Sequence, residues 1–207
     1  MSNLAFALTD FLVVIGAGLG IYRLWPDRRN GKVRMIRLGL ALMGLAALVG
    51  TVRFAAGLVS ELADIHSMTS QFAAAAGLML IAIAPALKLA VPKLDVGLAR
   101  YIRYGIPVLA AAFVLFPGLG GAADAMPVLA LLVGFGASGW MLLRGSRQAG
   151  AMWLGSFALL AFASLAIGGS RTETTLGITN WHLYHALLGI WAVSVGEATR
   201  RLFRPRS

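Results

Sequence analysis

Seven apolar stretches, each roughly the 17 to 25 residues that a helix needs to cross a bilayer core, take up most of this 207-residue chain. They lie near 3–25, 34–59, 66–90, 100–117, 125–143, 149–168 and 181–202. In hydrocarbon every backbone N–H and C=O must find its partner within the protein, so stretches of this kind have one regular outcome, the α-helix. The expected fold class is therefore all-α: a polytopic bundle of seven transmembrane helices, forming a single domain over 1–207. Composition agrees. Hydrophobic residues make up 59% of the chain and charged residues 13%, with a mean hydropathy of +0.81, too apolar for a soluble domain with a polar shell.

Turn and charge signals separate the stretches: "PDRRNGK" (26–32), "VPKLDVG" (91–97), "PGLGGAAD" (117–124), "RGSRQAG" (144–150) and "GGSRTETTLGITN" (168–180). The break after the second stretch is marked less clearly, by the carboxylates of "SELADIHS" (60–67) and a possible Ser67 cap. These loops are too short to hold a further domain.

The positions of Lys and Arg set the expected orientation. With the N-terminus outside, sixteen basic residues fall on the cytoplasmic side: Arg23, Arg28, Arg29, Lys32, Arg34, Arg37, Lys88, Lys93, Arg100, Arg103, Arg144, Arg147, Arg200, Arg201, Arg204 and Arg206. Only Arg53 and Arg171 lie opposite. That asymmetry follows the positive-inside pattern. It predicts an N-out, C-in protein of a bacterial inner membrane, whose first helix is an uncleaved anchor. The formal net charge of +10 is then explained by topology and contact with anionic membrane lipid, and no nucleic acid partner is expected. The chain has no cysteine, which rules out disulfides and thiolate metal sites.

This orientation gathers chemistry on the outer face. His66, His182 and His185, the three histidines of the chain, all fall there, with Asp10, Glu61, Asp64, Asp124 and Glu173. His182 and His185, in "TNWHLYHALLG" (179–189), are separated by about 4.5 Å of rise and roughly 60° of azimuth, so both project from one helix face. They form a candidate ligand pair for zinc, with His66 or Asp64 and, among nearby acids, Glu61 or Asp10 completing a set open to water. The alternative is that "NWHLYH" sits at a helix mouth with Trp181 and Tyr184 as interfacial aromatics. An acid inside a span, as Asp10 is, marks a functional site by default. Its structural alternative is an ion pair with Arg53.

Other signals carry less. "GFGASGW" (134–140) contains the GASG string found around rhomboid serines, but Ser138 falls at the end of the bundle opposite the histidines, so small-residue helix packing accounts for it. "GAGLG" (16–20) follows no strand and is packing as well. The seventh helix has no lysine, which removes a retinal Schiff base. Glu197 is expected to pair with Arg200 and Arg201 on the helix surface.

Seven helices in an N-out arrangement, an acid early in the first ("LTDFL"), the polar "SELADIHS" region and the paired histidines of "NWHLYH" resemble the alkaline ceramidase, adiponectin-receptor and Per1 superfamily of zinc-dependent membrane hydrolases. That family spaces its seventh-helix histidines as HxxxH and places another zinc histidine in the second helix, where this chain has Arg53 in "GTVRFAAG". The resemblance implies His182 and His185 as zinc ligands, His66 as a displaced third ligand, and hydrolysis of a lipid amide or related bond.

Two functions follow as expectations. One is a zinc-dependent membrane hydrolase acting on a lipid amide or ester, in which Asp10 or Asp64 is the general base and Arg53 or Ser67 steadies the developing oxyanion. The other is a non-enzymatic membrane protein that binds haem or another small ligand through His66 with His182 or His185.

Overall fold

A computed structural model describes residues 2–203; Met1 and 204–207 lie outside the described residues, and with them Arg204 and Arg206 of the basic rim. The protein is all-helical apart from one short hairpin. Its long helices are α1 (Asn3–Arg23), α2 (Gly31–Ala55), α3 (Ala63–Ala90), α4 (Val96–Leu115), α5 (Gly120–Leu143), α6 (Arg147–Ile167) and α7 (Asn180–Phe203). α1 to α6 are each long and apolar enough to cross a membrane. α7 has the length, since 24 residues rise about 36 Å, but polar groups crowd both its ends: Asn180, His182 and His185 at one, Glu197, Arg200 and Arg201 at the other.

Local capping shifts several boundaries from their expected places. α2 starts at Gly31 because the Asn30 side chain accepts from the N–H groups of Lys32 (2.9 Å) and Val33 (3.4 Å). It ends at Ala55, not near 59, because Gly57 takes a left-handed φ of 72°, as a residue just past a helix C-terminus commonly does. Asp95 caps α4 through the Leu98 N–H at 3.0 Å, which starts that helix at Val96 and not near 100. The glycines of "PGLGGAAD" do not all break the chain: α5 begins at Gly120.

Neighbour packing closes six of the helices into a ring. α1 packs on α2 and α7, α2 on α3, α3 on α5, α5 on α6, and α6 on α7, while α4 lies outside against α3 and α5. Small residues allow the closest approach. A Cβ on Gly16 would strike the Gly189 backbone, and one on Gly20 would come within 2.6 Å of the Ala192 carbonyl oxygen, so "GAGLG" is the seam between α1 and α7. Gly134 of α5 likewise receives the Phe157 ring of α6. Ser138, fully buried, donates to the Gly134 carbonyl at 2.7 Å, in keeping with a packing role.

Trp153, Phe157, Trp191, Met35, Leu80 and Ile81 are among the fully buried side chains that fill the ring. At the end carrying the C-terminus of α1, Glu197 accepts from Arg23 (2.9 Å), Arg200 (2.8 Å) and Arg201 (2.9 Å). The expected surface pair is thus also a clasp between α7 and α1.

Candidate functional site

The opposite end is built by the start of α1, the end of α2, the start of α3 and the start of α7. The connection 168–180, expected as a plain loop, contains a hairpin, β1 (Thr174–Thr175) paired antiparallel with β2 (Ile178–Thr179). Leu176 and Gly177 both have positive φ (54° and 77°), as a tight two-residue hairpin turn requires. The hairpin fixes the start of α7. Asn180 receives the Thr175 hydroxyl (2.7 Å) and donates to the Ile167 carbonyl (2.9 Å), while the Trp181 N–H donates to the Ser170 carbonyl (2.9 Å).

So anchored, α7 turns Trp181 toward α1 and α2. Its indole stacks on His185 (centroids 4.3 Å apart) and meets Phe6 and Phe54 edge-on at 6.0 and 5.6 Å. Its Nε1–H donates to Asp10 Oδ1 at 3.2 Å. Asp10 is fully buried, and the same oxygen lies 3.3 Å from His185 Nε2. No direct ion pair with Arg53 forms. That guanidinium donates instead to the Val59 carbonyl (2.7 Å) and to His66 Nδ1 (3.2 Å). In place of the expected Asp10–Arg53 pair, Arg53 pairs with His66 and Asp10 with Trp181 and His185.

Donor and acceptor bookkeeping assigns the ring hydrogens. His185 Nδ1 lies 2.8 Å from the Trp181 carbonyl oxygen, which can only accept, so Nδ1 carries hydrogen and Nε2 faces the carboxyl group. Two lone pairs at that distance would repel. Asp10 and His185 therefore hold one proton between them. An arginine can only donate, so His66 Nδ1 accepts and its Nε2 carries hydrogen. His66 Nε2 and Asp10 Oδ2 both lie within 2.8 Å of the point that a Cβ on residue 50 would occupy; Gly50 leaves them that space. Asp10 Oδ2 is buried with no hydrogen-bond partner.

His182 stands apart from this cluster. Thr9 Oγ1 donates back to the Ala5 and Phe6 carbonyls (3.2 and 3.0 Å), so His182 Nδ1, 3.1 Å away, donates to it, and the ring lies against Phe6. The i, i+3 pair thus shares a face, toward α1, without converging on one point. Asp64 and Ser67 are exposed, Ser67 at the rim of a cavity. Glu61 is exposed and receives the Ser60 hydroxyl at 3.0 Å.

These donors do not fit a zinc centre. His66 carries hydrogen on the nitrogen that would have to ligate, and His185 has one ring nitrogen on the Trp181 carbonyl and the other on Asp10. Among the described residues no group of three or more His, Asp or Glu is placed to hold a metal ion. A haem on His66 with His182 or His185 fares no better, because His66 accepts from Arg53 at Nδ1 and so carries hydrogen on Nε2.

Two cavities adjoin the cluster and share His66, Ser70, Tyr184 and His185 in their walls. The outer one, about 330 Å³, is rimmed by Arg53, Ser67, Gln71, Arg171 and Trp181. The inner one, about 100 Å³, is walled by Val13, Met43, Ala46, Ala47, Ala73 and Leu188. They form one crevice, lying where α3 and α7 pack on other helices in preference to each other. Along its wall α3 widens into a π-turn at Ala73–Gly77, a feature frequent at functional sites.

Of the residues singled out from sequence, Asp10, Arg53, His66 and His185 come together. Trp181, Gly50, Thr9, Ser70, Tyr184 and Arg171 belong to the site and were not foreseen in it. Trp181 had the strongest available signal, sitting one turn before His185. No protein-family model matches the chain, and no curated protein or solved structure matches it either.

Proposed function

We propose that this chain is a seven-span membrane protein of a bacterial inner membrane, N-terminus outside, that binds a small ligand in the crevice at its outer face without chemistry on it. The single observation that carries this reading is the commitment of the histidine nitrogens. His185 and His66 wall the crevice, yet both ring nitrogens of His185 and Nδ1 of His66 are directed to partners inside the protein, and His66 Nε2 carries hydrogen, so neither offers a base to a water in the cavity. Outer-face placement rests on the sixteen-to-two asymmetry of basic residues. The zinc hydrolase suggested by the family resemblance would require His66 to leave Arg53 and His185 to turn its Nε2 away from Asp10.

Ser70 lines both cavities and is half-buried, so Ser70→Trp fills the crevice from its neck. Solvent extracts of purified wild type should contain a near-stoichiometric small molecule that is absent from the variant, at matched melting temperature. Identical extracts would overturn the reading. One zinc per chain would restore the hydrolase, and a Soret band the haem protein. A periplasm-active reporter should work when inserted near Thr174 and be silent when fused after Ser207; the opposite pattern would invert the orientation.

A further inference from the structure

We infer that the crevice takes a single-chain anionic amphiphile, its head between Arg171 and Arg53 and the first part of its chain in the apolar inner cavity. This rests on the ligand-binding reading above and gives its ligand a chemical class.

Charge decides the head. Arg53 and Arg171 both rim the outer cavity, and no carboxylate lines either cavity. Asp10 lies behind His185 at zero exposure; Glu61, Asp64 and Glu173 are exposed elsewhere on this end. Arg53 spends Nε and one Nη on Val59 and His66, which leaves donors of its other Nη for a ligand. Arg171 makes no hydrogen bond or ion pair with a described residue. Two guanidinium groups on one cup whose lining holds no carboxylate select an anion, and their planar fork suits a carboxylate, sulfate or phosphate.

Shape decides the rest. The cup adds Ser67, Ser70 and Gln71 as hydrogen-bonding groups, whereas beyond the neck the wall is aliphatic apart from Ser70 and the aromatic edges of His66, Tyr184 and His185. A polar mouth on an apolar end is the complement of an amphiphile. The inner cavity is the smaller, about 100 Å³ against about 330 Å³ for the outer one, and is assigned to the first part of a single chain.

The test uses the full chain in nanodiscs of zwitterionic lipid, with the calorimetric difference between wild type and Ser70→Trp taken as the site-specific signal. Decanoate is expected to bind about tenfold tighter than decanol, the worth of one charge-assisted hydrogen bond, while decyltrimethylammonium and inorganic phosphate bind more weakly still. Arg171→Gln, at an exposed position, should remove the advantage of decanoate and leave decanol unchanged. Equal binding of decanoate and decanol, with Arg171→Gln silent, would overturn the anionic head. Phosphate binding as tightly as decanoate would make the ligand a free anion and overturn the amphiphile. If none of the probes separates wild type from Ser70→Trp while the extracts still differ, this inference falls alone; if the extracts agree too, the ligand-binding reading falls with it.

Discussion

Gly50→Ala is expected to destabilise the protein through a residue it does not contact in sequence, the carboxyl group of Asp10. The added methyl would overlap Asp10 Oδ2 and lie 3.1 Å from its Cγ and 2.8 Å from His66 Nε2. Asp10 has nowhere to retreat, because Trp181 Nε1 at 3.2 Å and His185 Nε2 at 3.3 Å hold it from its other oxygen. Either α1 and α2 part, at the roughly 1–3 kcal/mol typical of overpacking, or the carboxyl swings away and forfeits bonds worth about 1.5–3 kcal/mol each. The gain of about 1 kcal/mol that Ala usually has over Gly inside a helix offsets only part of this. A net loss of up to about 2 kcal/mol, the cheaper route less the propensity gain, should follow, read by thermal or detergent unfolding of the purified protein. Gly18→Ala is the control, since a Cβ there meets nothing within 4 Å, and it should be neutral or stabilising. Adding Asp10→Ala to Gly50→Ala should recover part of the loss. If Gly50→Ala melts with Gly18→Ala, the carboxyl group does not sit against residue 50 and the site geometry is wrong.

Two further outcomes test the same cluster. Trp181→Phe keeps a ring against His185, Phe6 and Phe54 but removes the Nε1 donor to Asp10; it should cost about 1–3 kcal/mol in unfolding, and much less in an Asp10→Ala background. In double-mutant cycles Asp10 and His185 should couple by about 1 kcal/mol or more, and Asp10 and Arg53 by less than about 0.5 kcal/mol, because no direct contact joins the second pair. A larger coupling for Asp10 with Arg53 would reinstate the ion pair that the sequence suggests.

The helices were legible because hydropathy and capping are local. Asn30, Asp95 and Gly57 act on their own neighbours in the chain, and even the misplaced end of α2 had its signal in Gly57. Asp10 was legible for a similar reason, since one acid in a run of apolar residues is conspicuous without knowledge of what faces it. His182 and His185 were not. Their spacing puts them on one face of α7 in sequence and in structure alike, but what each ring meets is set by α1, where Thr9 takes one and Asp10 the other.

What the sequence determined by itself is the class of the protein: a chain of long apolar helices, polar and histidine-bearing at one end and basic at the other. Tertiary structure alone decided the partners. Arg53 meets His66 and not Asp10 because the start of α3 brings His66 to the end of α2, and Trp181 reaches Asp10 because the hairpin at 174–179 fixes the start of α7. Helix formation in an apolar setting depends on each segment's own backbone hydrogen bonds. Hydrogen-bond pairing of buried side chains depends on which helices lie within about 3 Å of one another, and that relation is spread across residues as far apart in the chain as Asp10 and His185.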